Sequence, residues 1–173
     1  RVLFIYLGLS ATQMVLLYMG DMTLFDSICY MFGTIATGGF STKNSGLMYY
    51  SSYNQYIIMI FMFLAGVSQV VYYYLIKRNL RKIIQNDEFW FYLVVTIISG
   101  TIATLILLGY NKGSFEVAFR AGFFNVISII TTTGFASVDF LYWPVPGLIL
   151  IFFLLFAGAS SGSTTGAIKK GRH

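Results

Sequence analysis

Charge is scarce in this sequence. Of 173 residues only 10% are Asp, Glu, Lys or Arg, against roughly 25% in soluble domains, and that deficit excludes an ordinary water-soluble fold. Cysteine is scarcer still. Cys29 stands alone, so no disulfide framework forms within the chain, and it reads as an inert packed residue. The single histidine, His173, is terminal and leaves the apolar segments without an imidazole general base. No secretory signal peptide opens the chain, and Arg1 in place of Met gives the expectation of a piece excised from a longer protein. The abundant residues are apolar: 57% are hydrophobic, with 17 Phe and 13 Tyr, rings suited to the lipid–water boundary. A net charge of +5 would suit nucleic acid, but the basic residues form no aromatic-interleaved surface. They gather at segment ends, so no nucleic-acid partner is expected.

Four uncharged runs, 2–20, 55–76, 89–111 and 143–168, are long enough to cross a bilayer, whose hydrocarbon core is roughly 30 Å thick. Two shorter apolar runs, 27–42 and 121–138, end in Thr, Gly and Ser. With four spans and Arg1 inside, Lys77, Arg78, Arg81 and Lys82 fall in the cytoplasm with Lys169, Lys170 and Arg172, as the positive-inside rule asks. Letting both short runs cross would put the first cluster outside. They are therefore read as re-entrant segments, each a short helix, 23–35 and 114–130, followed by a loop.

The order span, re-entrant segment, span is written twice, over 1–82 and 83–173. "TGGFST" at 37–42 matches "TTGFAS" at 132–137 at an offset of 95, and "AGVSQ…LIK" at 65–77 matches "AGASS…AIK" at 157–169 at an offset of 92. The fold class expected is an all-α membrane protein of two span–pore helix–span repeats, resembling potassium-channel subunits. Irregular backbone at membrane depth is tolerated only inside protein or around a water-filled cavity, and Gly lets successive carbonyls face one way. A ring of such carbonyls replaces the water shell of a dehydrated cation. Thr37, Gly38 and Gly39, with Thr132, Thr133 and Gly134, have that form and are the candidate potassium ligands. Phe40 and Phe135 lack hydroxyls and are expected to pack behind the filter as its support.

"ATGGFST", "TTTGFAS" and "AGASSGSTTGAIK" together resemble the Trk/Ktr/HKT superfamily of potassium transporters, most closely its TrkH-type uptake subunits. The resemblance covers essentially the whole chain and implies the second and third of four pore repeats in one polypeptide. It implies a potassium-permissive glycine at the central filter position, met by Gly39 and Gly134, with potassium as the transported ion. It also implies a bacterial inner-membrane location, membrane lipid as surroundings, the remaining repeats of the same polypeptide as partners and a homodimer when complete. A cytoplasmic nucleotide-binding regulatory subunit is implied by the family alone.

Residues 158–166, "GASSGSTTG", make an odd centre for a membrane helix. The resemblance makes Gly158, Ser160, Ser161, Gly162, Ser163 and Gly166 a flexible gate loop below the filter. Gly158, Gly162 and Gly166 also recur every four residues, a stripe suited to close helix packing. The earlier copy, "GVSQVVYYYL", keeps one Gly and is expected to stay helical, and this asymmetry favours the gate. An intramembrane serine protease is set aside, because Ser160 and Ser161 each lack one flanking glycine and no intramembrane His serves as base. Two alternatives to the pore reading remain: a two-repeat cation channel assembling as a dimer, and a non-conducting scaffold. Asp21, Asp26, Glu116 and Asp139 lie on the outer side in this topology. They either concentrate cations or serve as caps and partners of Lys43, Lys112 and Arg120.

Overall fold

A computed structural model describes residues 2–43, 46–77, 80–110, 114–138 and 143–156. All the regular structure among them is helical. Helix α1, Val2–Tyr18, carries 17 residues without a charge, about 25 Å of rise. Thr23 then caps α2, Leu24–Ile35, its hydroxyl accepting from the Asp26 amide. A 3-10 turn, Gly46–Tyr49, leads to α3, Ser52–Ala65, and α4, Gln69–Ile76. After the short α5, Leu80–Ile84, helix α6, Asp87–Tyr110, opens with Asp87 and Glu88 in its first turn. Acids there oppose the positive end of the helix dipole. Helix α7, Phe115–Ile130, follows the cap Ser114, and α8, Val145–Phe156, ends the described region. Among the described helices, α6 is long and apolar enough to cross a membrane unaided.

The short helices expected at 23–35 and 114–130 are present as α2 and α7, each starting one residue later because Thr23 and Ser114 are caps. The second crossing differs from expectation. Residues 66–75 do not stay helical: α3 stops at Gly66 and α4 starts after Ser68. The reason is tertiary. At the break Val67 N turns to Leu64 O at 3.0 Å instead of Phe63 O, and tyrosine hydroxyls add to both carbonyls: Tyr92 donates to Phe63 O at 3.1 Å and Tyr72 to Leu64 O at 2.6 Å. The Tyr92 ring also stacks on Phe63, 5.0 Å between centroids. A broken helix is tolerated at membrane depth when its freed groups are satisfied in this way.

Helices α1, α2 and α3 pack on one another, as do α6, α7 and α8, and α3 against α7 joins the two groups. The α6–α7 approach is close because glycines lie on both sides: a Cβ on Gly122 would stand 2.9 Å from the Thr104 amide. One core gathers Tyr30, Ile58, Met62 and Phe124, and a second gathers Tyr92, Val126, Ile130 and Leu154. Large apolar side chains also cover the outside, among them Phe4, Leu7, Ile97, Leu105, Phe152 and Leu155. An apolar surface this broad suits lipid rather than water. Hydroxyls on that surface fold back: Thr12 and Thr101 donate to the carbonyls of Gly8 and Ile97 at 2.8 and 2.7 Å. No stray donor is left facing hydrocarbon from these two residues.

Candidate functional site

Helix α2 ends at Ala36 and α7 at Thr131, and the chain after each folds back on the helix it has just left. Gly38 and Gly39 both donate to Gly33 O, at 2.8 and 3.3 Å. Thr133 and Gly134 both donate to Ser128 O, at 2.9 and 3.3 Å. Thr37 donates to Thr34 O at 3.1 Å and Thr132 to Ile129 O at 2.9 Å. Each of these backbone bonds in one loop recurs in the other at an offset of 95, although the side chains differ.

This bonding fixes where the carbonyls go. Across a trans peptide the N–H and C=O point in opposite directions, and no cis bond occurs among the described residues. Amides of residues 38 and 39 aimed at the pore helix therefore turn the carbonyls of Thr37 and Gly38 away from it. The same holds for Thr132 and Thr133. Backbone φ is positive at the first and third residue of each loop: Thr37 at 51° and Gly39 at 67°, Thr132 at 55° and Gly134 at 84°. A β-branched residue at positive φ is a genuine outlier, and such strain, of order 1–3 kcal/mol, persists only where the surroundings over-determine it. Two threonines hold it at equivalent positions.

The loops also meet. A Cβ added to Gly39 would overlap the carbonyl oxygen of Thr133, with the Thr133 carbonyl carbon at 3.0 Å. Short helices ending in rows of like-directed carbonyls, with those rows in contact, suit a dehydrated monovalent cation. The partly negative C-terminal ends of α2 and α7 add to this.

Comparison with known proteins bears directly on this geometry. No protein-family profile matches the chain. It is 32% identical over 168 residues to the Trk system potassium uptake protein TrkH of Escherichia coli K12, a match covering 95% of this chain and 35% of TrkH. It is 28% identical over 174 residues to TrkG of the same organism, covering 98% and 36%. The crystal structure of the potassium transporter TrkH from Vibrio parahaemolyticus superposes with a TM-score of 0.89 at 29% identity, covering 96% of this chain and 36% of that one. The chain is homologous to the Trk potassium uptake proteins. Its fold is that of an all-α membrane protein with pore-helix repeats and re-entrant filter loops, and its relatives are uptake proteins rather than enzymes. It spans 35% of the length of E. coli TrkH.

Set against the Trk resemblance, the expected site residues divide. Thr37, Gly38, Gly39, Thr132, Thr133 and Gly134 come together as two touching loops. Phe135 packs as expected, 5% exposed, its ring 5.6 Å from that of Tyr30 on α2. Phe40 does not: it is 80% exposed. The difference has a physical cause. Phe135 reaches across to the other pore helix, at Tyr30 and Gly33, and the described residues offer Phe40 no second pore helix to cross to. Gly158, Ser160, Ser161, Gly162, Ser163 and Gly166 lie outside the described residues, as does Asp139.

Several supporting residues escaped the sequence. Asp26 is buried and accepts from Thr42 Oγ1 at 2.6 Å and Thr23 Oγ1 at 2.9 Å, so it clamps the strand after the first loop to the helix before it. The Thr42 bond holds its carboxyl below the usual carboxylate value, against the opposing effect of burial. The Tyr30 and Ser41 hydroxyls hydrogen-bond at 2.5 Å, which holds the same segment. In the second loop Ser128 Oγ donates to Phe135 O at 2.6 Å, and Thr131 and Thr133 hydroxyls meet at 2.8 Å. A tyrosine or hydroxyl inside an apolar run was the available signal, since each needs a partner. Which partner it finds is a tertiary matter. Of the outer acids, Glu116 pairs with Arg120 at 3.2 Å.

Proposed function

We propose that this chain supplies two filter segments of a potassium uptake pathway, with residues 1–82 and 83–173 as the second and third of four pore repeats. The observation that carries the reading is the pair of loops with identical backbone bonding and alternating φ, touching at Gly39 and Thr133. Carbonyls of Thr37, Gly38, Thr132 and Thr133 would replace part of the potassium hydration shell, and Gly39 and Gly134 would keep the backbone able to present them. Potassium is the cargo.

The other two repeats would lie in the flanking parts of the same polypeptide, since the relatives hold the matched region within chains nearly three times as long. That arrangement is preferred to two copies of this segment dimerising around one pore. A preceding repeat would also give Phe40 the pore-helix face that Phe135 finds on α2. Gly158, Ser160, Ser161, Gly162, Ser163 and Gly166 would form the intramembrane gate loop beneath the filter. The setting is the bacterial inner membrane, with a homodimer of the complete protein and a cytoplasmic nucleotide-binding subunit as partner, both on the strength of the Trk relationship.

The test is flux. The complete protein, reconstituted in liposomes, should carry potassium in preference to sodium down an imposed gradient. Flux no greater than in protein-free vesicles, or equal flux of the two ions, would remove the proposal.

A further inference from the structure

The two pore helices carry different charges near their outer ends: Asp26 on α2, Glu116 and Arg120 on α7. Beside the first loop, the Asp26 carboxylate receives the Thr42 hydroxyl. At an offset of 95 the same two positions are Ala121 and Ser137. Ser137 is 4% exposed, and its Oγ has no hydrogen-bond partner among the described residues. A buried hydroxyl left unpaired carries its full desolvation cost. The group that pairs with its counterpart is missing here.

The space beside Ser137 is a cavity of about 330 Å³, lined by Ser51, Ser52, Gln55, Arg120 and Ala121 among others. Among its described lining residues, Arg120 carries the formal charge. The Arg120 side chain, 16% exposed, forms an ion pair with Glu116, Nε to Oε1 at 3.2 Å, and donates Nη1 to Gln55 Oε1 at 3.1 Å. A guanidinium carries five N–H donors, more than these two partners occupy among the described residues. Helix α3, 14 residues long, starts on the same cavity, and its cap Ser51 makes no side-chain bond to the first turn. The N-terminal, partly positive end of α3 thus shares this cavity with the guanidinium. Glu116, the acid that meets Arg120, is half exposed and does not line the cavity.

We propose that this cavity is an anion site, taking one carboxylate or one small inorganic anion where Asp26 serves the first loop. The anion would accept from Ser137 Oγ and Arg120, tie down the strand after the second loop and offset a positive charge close to a cation path. Its source is either a solute anion or an acidic side chain from elsewhere in the complete protein. The inference stands independently of whether the loops conduct.

The experiment uses the complete protein in detergent at constant potassium and ionic strength. Its unfolding temperature is measured with chloride, nitrate or the bulky gluconate as anion. A solute anion should make chloride and nitrate raise that temperature by about 2 °C or more over gluconate. Ser137→Ala should shrink the difference and Arg120→Gln should abolish it. Ala121→Asp, which restores the carboxylate of the first repeat, should remove the anion dependence and raise the gluconate value. If an internal acid fills the cavity instead, the wild type is anion-independent, and an experimental map of the complete protein shows a carboxylate within hydrogen-bond reach of Ser137 Oγ. Anion independence with only water or apolar atoms there would overturn the proposal. So would an anion effect that Ser137→Ala and Arg120→Gln both leave unchanged.

Discussion

Serine at Gly39 and serine at Gly134 are the same substitution in the two loops, and the structure separates them. Both positions hold positive φ, 67° and 84°, so any side chain there costs about 1–2 kcal/mol of backbone strain. At Gly134 a Cβ meets nothing within 4 Å among the described residues. At Gly39 it overlaps the Thr133 carbonyl oxygen and stands 3.0 Å from the carbonyl carbon and 3.4 Å from that of Gly134. Real Cβ atoms essentially never approach another heavy atom within 3.0 Å, so clearing the Thr133 oxygen requires the facing loop to yield by about an ångström or more. The displaced atoms are the proposed ligands.

Strain released wholly by moving carbonyls sets the upper limit of the effect on ion choice. For Gly134→Ser, 1–2 kcal/mol corresponds to a 5- to 30-fold loss of discrimination between potassium and sodium. Gly39→Ser adds the clash to that strain and should lose more, to the point of indifference between the ions. The assay is the reversal potential of the complete protein in a potassium–sodium bi-ionic gradient, where each tenfold loss moves the potential by about 59 mV for a monovalent ion. Unchanged reversal potentials in both variants would take the loops out of the filter. A larger shift in Gly134→Ser than in Gly39→Ser would show that the loop contact at Thr133 does not exist in the assembled protein.

Three further outcomes are expected. Tyr92→Phe removes the hydroxyl that Phe63 O accepts and should cost about 1–3 kcal/mol, read as a fall in denaturant midpoint; a variant as stable as the wild type would mean the carbonyl has another partner. Asp26→Asn should destabilise by a similar 1–3 kcal/mol at neutral pH, because the Thr42 bond is to a charged acceptor. The carboxyl titrates below its ordinary 3.8 in the folded state, so its contribution is fully present above that value and lost as pH falls through the lower folded one. The gap between variant and wild type should therefore persist at pH 5 and close only in stronger acid. Deleting part of 158–166 should raise potassium flux without loss of membrane insertion, whereas deletion variants that insert and conduct no faster would favour a packing stripe.

How much was legible in the sequence can be judged residue by residue. The short helices were readable to within one residue, because Thr23 and Ser114 are cap residues ahead of apolar runs and Thr-Gly corners close the far ends. The two Thr-Gly-Phe loops were readable as a repeated turn because their bonding is backbone to backbone and depends little on which side chains intervene. The break at Gly66–Ser68 was not. Residues 55–76 form one uncharged run with a single Gly, and hydropathy cannot see a hydroxyl arriving from Tyr92, 29 residues away. Phe40 and Phe135 occupy the same motif, yet one is exposed and the other buried, since burial there is decided by a neighbouring repeat.

The break and the second loop belong to one structure. A Cβ on Gly66 would stand 2.5 Å from the Tyr92 hydroxyl oxygen and 2.8 Å from Thr131 Cγ2, so the point where the second span is interrupted lies against the residue that ends α7. Thr131 in turn bonds Ile127 O at 2.8 Å and meets the Thr133 hydroxyl at 2.8 Å. Thr133 is buried, and its carbonyl is the one that faces Gly39. A chain of direct contacts thus runs from the interrupted span, through the end of the second pore helix, to the place where the loops touch. The close approach of Gly66 to Tyr92 and Thr131 depends on the interruption, because a Cβ at that position would meet both. The break, and the Tyr92 hydroxyl that satisfies Phe63 O beside it, therefore pack directly against the end of α7 from which the second loop departs.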